Sequence, residues 1–237
     1  MTHEEEQIES LKRFWQDYGT PLLVGFVLAI AVFVGWTIWQ KSRLNEATRA
    51  AGVYQELLSA VQRSQLNPDD TAANTDVQRL GKTLKDEHAS TPYAVTAGLL
   101  LARQAADRND LKEAEKQLRW VLDRKPAEAE RLLATTRLAR VLAAGKQYDA
   151  ALALLEKEHD AKGFQPTIDE LRGDIFQAQG KIAEARAAYE AAAKTLQARD
   201  ERRPLLDVKM ADVGLAPLEP KKPAAKAKAA DTESSSS

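Results

Sequence analysis

The sequence predicts an all-α protein, with a single transmembrane helix near the N-terminus followed by a solenoid of helix pairs. Three observations carry this expectation. An almost wholly apolar run, PLLVGFVLAIAVFVGWTIW, extends from Pro21 to Trp39. Beyond Lys41 the chain is rich in Ala, Leu, Glu, Gln, Lys and Arg, the residues that lose least on entering a helix. Finally, the same order of small and large side chains recurs at a nearly fixed interval through the middle of the chain.

No charged residue lies between Tyr18 and Gln40. At about 1.5 Å per residue the apolar run covers roughly the 30 Å hydrocarbon thickness of a bilayer. Phe14, Trp15 and Tyr18 precede it and Trp36 and Trp39 close it, the placement expected of aromatic side chains seated at the two membrane interfaces. The leader carries Glu4, Glu5, Glu6, Glu9 and Asp17 against Lys12 and Arg13, and the exit from Trp36 to Lys41 has no small-x-small pattern. Both features oppose a cleaved signal peptide and predict an anchor that stays. Lys12 and Arg13 flank one end and Lys41, Arg43 and Arg49 the other, a slight bias toward a cytoplasmic C-terminal side. Long soluble domains cross largely regardless of flanking charge, so charge leaves the orientation open. Gly25 with Ala29, and Ala31 with Gly35, form small-xxx-small pairs on different faces of the span.

Helix breaks are expected at Asn67-Pro68-Asp69-Asp70, Ser90-Thr91-Pro92, Asn109-Asp110, Lys125-Pro126, Gly145, Gly163 to Pro166, and Gly180. Ser90 or Thr91 suits an N-cap, which puts Pro92 where a missing N–H costs least. Three segments then superpose. Leu101-Ala102 leads to Asn109-Asp110-Leu111 and Ala114; Leu138-Ala139 leads to Lys146-Gln147-Tyr148 and Ala151; Gly173 and Phe176 lead to Gly180-Lys181-Ile182 and Ala185. Ala114 and Ala151 are 37 residues apart, Ala151 and Ala185 are 34 apart. Helix pairs at this period are the signature of a tetratricopeptide-like array, in which each pair buries its apolar face against the next. The small residues let helices cross closely, while Phe176 and Tyr189 fill the space beside them.

This reading divides the chain into a leader (1–17), a transmembrane helix (18–40), a tetratricopeptide-like repeat domain (41–210) and a tail (211–237). The repeats fall at about 95–128, 132–165 and 166–199. Helices at about Leu44 to Leu66 and Ala73 to Glu87 match the pattern less well and form a diverged first pair held at the membrane surface. Helical order is expected to end between Leu196 and Met210. From about Pro217 the tail is Pro-, Lys-, Ala- and Ser-rich, too poor in apolar residues to fold.

Several chemistries are disfavoured. The formal net charge of −1 offers no basic field for nucleic acid, and the absence of cysteine removes disulfides, thiolate metal sites and a cysteine nucleophile. His3, His88 and His159 are isolated from one another, and no phosphate-loop, dinucleotide, zinc-protease or nucleophile-elbow motif is present. Glu128 with Glu130 and Asp169 with Glu170 read as solvated helix faces. No enzyme activity, cofactor, metal or small-molecule substrate is expected. A peptide-binding face would use the first helix of each pair. Aligning the three alanines puts Arg103, Arg140 and Asp174 in one register and Leu99, Thr136 and Glu170 in another, with Gln177 one turn beyond Asp174. Two arginines among polar groups suit an extended peptide or carboxylates. The lysine and asparagine pair by which some such arrays clamp chaperone tails is missing.

The motifs Leu11-Lys12-Arg13-Phe14-Trp15 with Tyr18-Gly19, Gly35-Trp36 with Trp39, Thr91-Pro92-Tyr93-Ala94, Leu138-Ala139-Arg140-Val141, and Leu171-Arg172-Gly173-Asp174 with Gly180-Lys181 and Ala185-Arg186 occur in an informative order. Together they resemble the YfgM family of ancillary SecYEG translocon subunits over about residues 8 to 200. The resemblance implies a cytoplasmic leader, one inner-membrane helix and a periplasmic repeat domain. It also implies work beside the SecYEG translocon with the membrane-anchored periplasmic chaperone PpiD, handing secreted client polypeptides to folding factors, and restraint of an envelope-stress response regulator through the leader. The Lys-, Ala- and Ser-rich tail departs from the family pattern. The alternative function is a repeat-domain adaptor for envelope or division machinery unrelated to secretion.

Overall fold

A computed structural model describes residues 3–158, 161, 163–196 and 201–216. Among these residues every regular element is an α-helix: α1 (His3–Leu66), α2 (Thr71–Glu87), α3 (Pro92–Asp107), α4 (Leu111–Asp123), α5 (Glu128–Ala144), α6 (Tyr148–Glu156), α7 (Gln165–Ala178), α8 (Ile182–Thr195) and α9 (Arg203–Asp212). His159 and the tail from 217 lie outside the described residues. The chain divides into two compact units, one ending at Ala97 and the other beginning at Gly98, a boundary inside α3.

In the first unit the expected membrane helix and the first soluble helix are one element, α1, because Gln40-Lys41-Ser42-Arg43 contains nothing that breaks a helix. Its apolar stretch from Leu23 to Trp39 is exposed, and it is the one helix among the described residues long and apolar enough to cross a membrane. The Trp36 and Trp39 rings lie 5.4 Å apart, and the Arg43 guanidinium sits 4.8 Å over Trp39. That stacks an aromatic belt directly under the first basic residues, as an interfacial anchor requires. Burial begins further along the same helix, at Ala50, Leu57 and Ala60, opposite Val77, Leu80 and Leu84 of α2. Antiparallel pairing is fixed at both ends. Arg63 reaches Asp76 at 3.0 Å near the turn, and His88 Nδ1 lies 2.8 Å from Glu46 Oε1 at the far end. Asp70 caps α2 through the Ala73 N–H at 2.9 Å.

The second unit builds its helix pairs with one repeated turn. Asn109, Lys146 and Gly180 all adopt left-handed backbone, with φ of 59°, 60° and 73°. The N–H of the following residue bonds back in each case, Asp110 to Ala105 O, Gln147 to Leu142 O and Lys181 to Phe176 O, at 2.8, 2.8 and 2.9 Å. This is the Schellman closure of a helix C-terminus, made three times in the same register. The second break thus differs from expectation by one position: Gly145, at φ −78°, is ordinary, and Lys146 carries the left-handed conformation at a cost of about 1 kcal/mol. Ala114, Ala151 and Ala185 are each fully buried, and one turn on Leu118, Leu155 and Tyr189 fill the same layer.

Two glycines set helix separations. A Cβ on Gly98 would lie 2.6 Å from Val121 Cγ2, and one on Gly173 2.4 Å from the Tyr189 ring, so in both places only hydrogen fits. Packed structure also runs past the expected end near Met210. The helix continues to Asp212, and Leu206, Met210 and Val213 join Ala185, Tyr189, Ala192 and Leu196 in one cluster. Arg186 closes this end by donating to the Val213 and Gly214 carbonyls at 2.7 and 2.6 Å. Those carbonyls lie at the C-terminal end of a helix, where a cation is favoured.

Candidate functional site

The seven residues of the expected binding face have three different fates. Leu99 and Thr136 are buried, 6% and 2% exposed, and neither lines the pocket beside Arg103 and Arg137. The Thr136 hydroxyl is spent inside its own helix, 3.0 Å from the carbonyl oxygens of both Leu132 and Leu133, between which its one proton is shared. Leu99 and Thr136 stand one turn before Arg103 and Arg140, and the roughly 40° offset between i and i+4 is enough to turn them toward the core.

Glu170, Asp174 and Gln177 stand on α7 but are already engaged from within the chain. Lys209 of α9 lies 2.6 Å from Glu170 Oε1 and 2.8 Å from Asp174 Oδ2. Tyr189 of α8 places its hydroxyl 2.9 Å from Asp174 Oδ1 and 2.8 Å from the Gln177 amide. One hydroxyl proton serves one acceptor; donated to the carboxylate, it leaves the hydroxyl oxygen to accept from Gln177 with its amide turned. Burial first, then the Asp174 charge, drives the Tyr189 pKa far above the tyrosine range, so the ring stays a neutral donor. Lys209 loses some proton affinity to burial, yet its bonds to Asp174 and Glu170 more than restore it, and its pKa is raised. Asp169, expected on a solvated face, is instead 7% exposed and accepts from Gln165 Nε2 at 3.0 Å.

Arg103 and Arg140 do reach the surface. Between them stands Arg137, which the register passed over because it lies one residue from the predicted Thr136. Its Nη1 sits 3.5 Å from the Leu99 carbonyl oxygen, bridging α5 to α3. Burial, and then the positive charges of Arg103 and Arg140, push its pKa down from the usual arginine value. The nearest carboxylate in the group is Asp107, 3.7 Å from Arg103 Nε within the same helix. Ala102, Arg103, Ala106, Leu118, Arg137 and Val141 line a pocket of about 280 Å³. The cue available in the sequence was the i, i+3 pair Arg137 and Arg140, which share a helical face.

Charge and apolar area thus meet in one concavity. The tetratricopeptide repeat-like domain family matches residues 12–215. Similar proteins bearing the name ancillary SecYEG translocon subunit come from several bacteria. The Escherichia coli K12 protein is 33% identical over 193 residues, which is 81% of this chain and 88% of that protein. The Neisseria gonorrhoeae protein is 30% identical over 210 residues, 87% and 95% of the two chains, and the Haemophilus influenzae protein 28% over 189 residues, 80% and 88%. Among solved structures, a Podosopora anserina kinesin light chain protein with nearly identical TPR-like repeats aligns with a TM-score of 0.55 at 20% identity. That alignment covers 70% of this chain and 86% of the other and speaks to the fold alone.

Proposed function

This chain belongs to the tetratricopeptide repeat-like family of ancillary SecYEG translocon subunits, and from that premise we propose that it is a non-enzymatic, single-pass scaffold of the Sec translocon in the inner membrane. The observation that carries the reading is the continuity of α1. One unbroken helix runs from an exposed apolar span into the α1–α2 core at Ala50, Leu57 and Ala60, so the first helix pair is joined to the membrane without a flexible link. A rigid joint holds whatever the pair binds at a fixed height above the bilayer.

The finer reading keeps the leader cytoplasmic and the repeat domain periplasmic, where the domain works with the chaperone PpiD and passes secreted client polypeptides to folding factors. The leader would then be the part that restrains an envelope-stress response regulator. Family membership supports this assignment; the slight flanking-charge bias runs against it but has little force for a long translocated domain.

Affinity purification of the full chain in mild detergent tests the scaffold reading. Recovery of SecY-type channel subunits together with PpiD is expected, and recovery of neither overturns it; recovery of division or envelope-assembly machinery in their place favours the adaptor alternative. A reporter fused after Ser237 tests the orientation, since activity confined to the cytoplasm reverses it.

A further inference from the structure

We propose that the pocket between α3 and α5 is a docking site for an acidic, extended polypeptide segment, whose apolar side chain rests on Ala102, Ala106, Leu118 and Val141 while flanking carboxylates meet Arg103, Arg137 and Arg140. The inference rests on the scaffold reading for the nature of its ligand, a polypeptide, and adds where and by what chemistry that ligand is held.

Charge complementarity selects the occupant. Arg137 is half-buried, its side chain turned toward a carbonyl rather than a carboxylate, with two further guanidiniums close enough to depress its pKa. Burying a cation beside like charges is unfavourable unless an anion arrives. Among the described residues the carboxylate paired with the group is the exposed Asp107, 3.7 Å from Arg103 and beyond hydrogen-bonding distance. Three planar forks suit bidentate contact with more than one carboxylate. A chain terminus brings a single carboxylate, so internal Asp or Glu side chains fit the site better. The apolar floor matters equally. A pocket of about 280 Å³ has room for one large aliphatic or aromatic side chain, which free inorganic anions lack. A basic segment is not expected on the equivalent α7 face, where Lys209 already occupies Glu170 and Asp174.

The test titrates a fluorescent peptide, acetylated and amidated at its ends and carrying an Asp-Leu-Asp core in a Gly/Ser frame, into the full chain held in zwitterionic-lipid nanodiscs. Saturable binding is expected. R137M should weaken it at least about tenfold, in line with the loss of a charge-assisted hydrogen bond. R140Q, an exposed change that the fold tolerates, should weaken it about threefold, as a more solvated contact does. Replacing both aspartates with asparagine should abolish it. Equal binding of the asparagine peptide, insensitivity to both arginine substitutions, or no binding at millimolar concentration overturns the proposal. So does preference for a peptide with a free C-terminus and no aspartate, or competition by glycerol phosphate at the peptide's own concentration, which would identify a lipid headgroup site. Translocon co-purification reads the scaffold function separately, so it can succeed while the peptide titration fails.

Discussion

Arg140 on α5 and Asp174 on α7 occupy the same position relative to the alanine that anchors each pair, Ala151 and Ala185, yet they end in opposite electrostatic states. Arg140 is exposed, next to a half-buried arginine and without a carboxylate partner among the described residues. Asp174 is bonded on both carboxylate oxygens, by Lys209 and by Tyr189. The repeat dictates where a side chain stands. What packs against the helix decides whether its charge is available, and α9 supplies that neighbour at one end only. One end of the unit is therefore complete by itself, and the other carries charge that a ligand can neutralise.

The comparison breaks most readily at the compensated end. Tyr189→Ala empties a fully buried site and strips a bond from Asp174; a loss of about 3–5 kcal/mol is expected, read from urea unfolding of the detergent-solubilised chain by circular dichroism. Gly173→Ala drives a methyl group into the same ring and should cost about 1–3 kcal/mol in that assay, because the ring is enclosed and cannot give way.

Lys209→Met leaves Glu170 and Asp174 facing each other without a cation. Since Lys209 is itself 23% exposed, the expected loss is a moderate 1–2 kcal/mol or about that, with faster hydrogen exchange in α9 than in α4 and α5. The same cluster sets an alkaline limit. Lys209 and Tyr189 both hold their protons more tightly in the folded chain, so their contribution is complete below their ordinary pKa values, about 10, and is lost as pH rises beyond them. Tyrosinate absorbance should therefore show one tyrosine ionising only as the α7–α9 end opens. Simple titration of all five tyrosines without a structural step would contradict this.

The smallest effect is expected at the uncompensated end. Arg137→Met removes a half-buried cation from two like charges and should leave stability unchanged or raise it by up to about 1 kcal/mol. A loss comparable to that of Lys209→Met would mean that Arg137 has a structural anion partner after all, and would erase the difference between the two ends.

Most of the architecture was legible in the sequence. The uncharged run from Tyr18 to Gln40 announces the membrane helix, because bilayer thickness and helical rise together demand such a run. Ala114, Ala151 and Ala185 announce the repeat, because close helix crossing demands small residues at a fixed interval. The left-handed turn at Lys146 was displaced by one residue, since the adjacent Gly145 gives the stronger signal. Of the candidate face, Arg103 and Arg140 are exposed whereas Leu99 and Thr136 are buried, because a periodicity argument fixes angle around a helix only coarsely.

The sequence by itself thus determined the all-helical class, the membrane span and the period of the array, all of them consequences of local spacing along one chain. Only the tertiary structure decided which charges remain free. Lys209 stands 35 residues from Asp174 and 39 from Glu170, and nothing in local periodicity says that α9 folds back to lay it there. Availability of a charge depends on partners brought together by packing, and packing is a property of the folded chain as a whole.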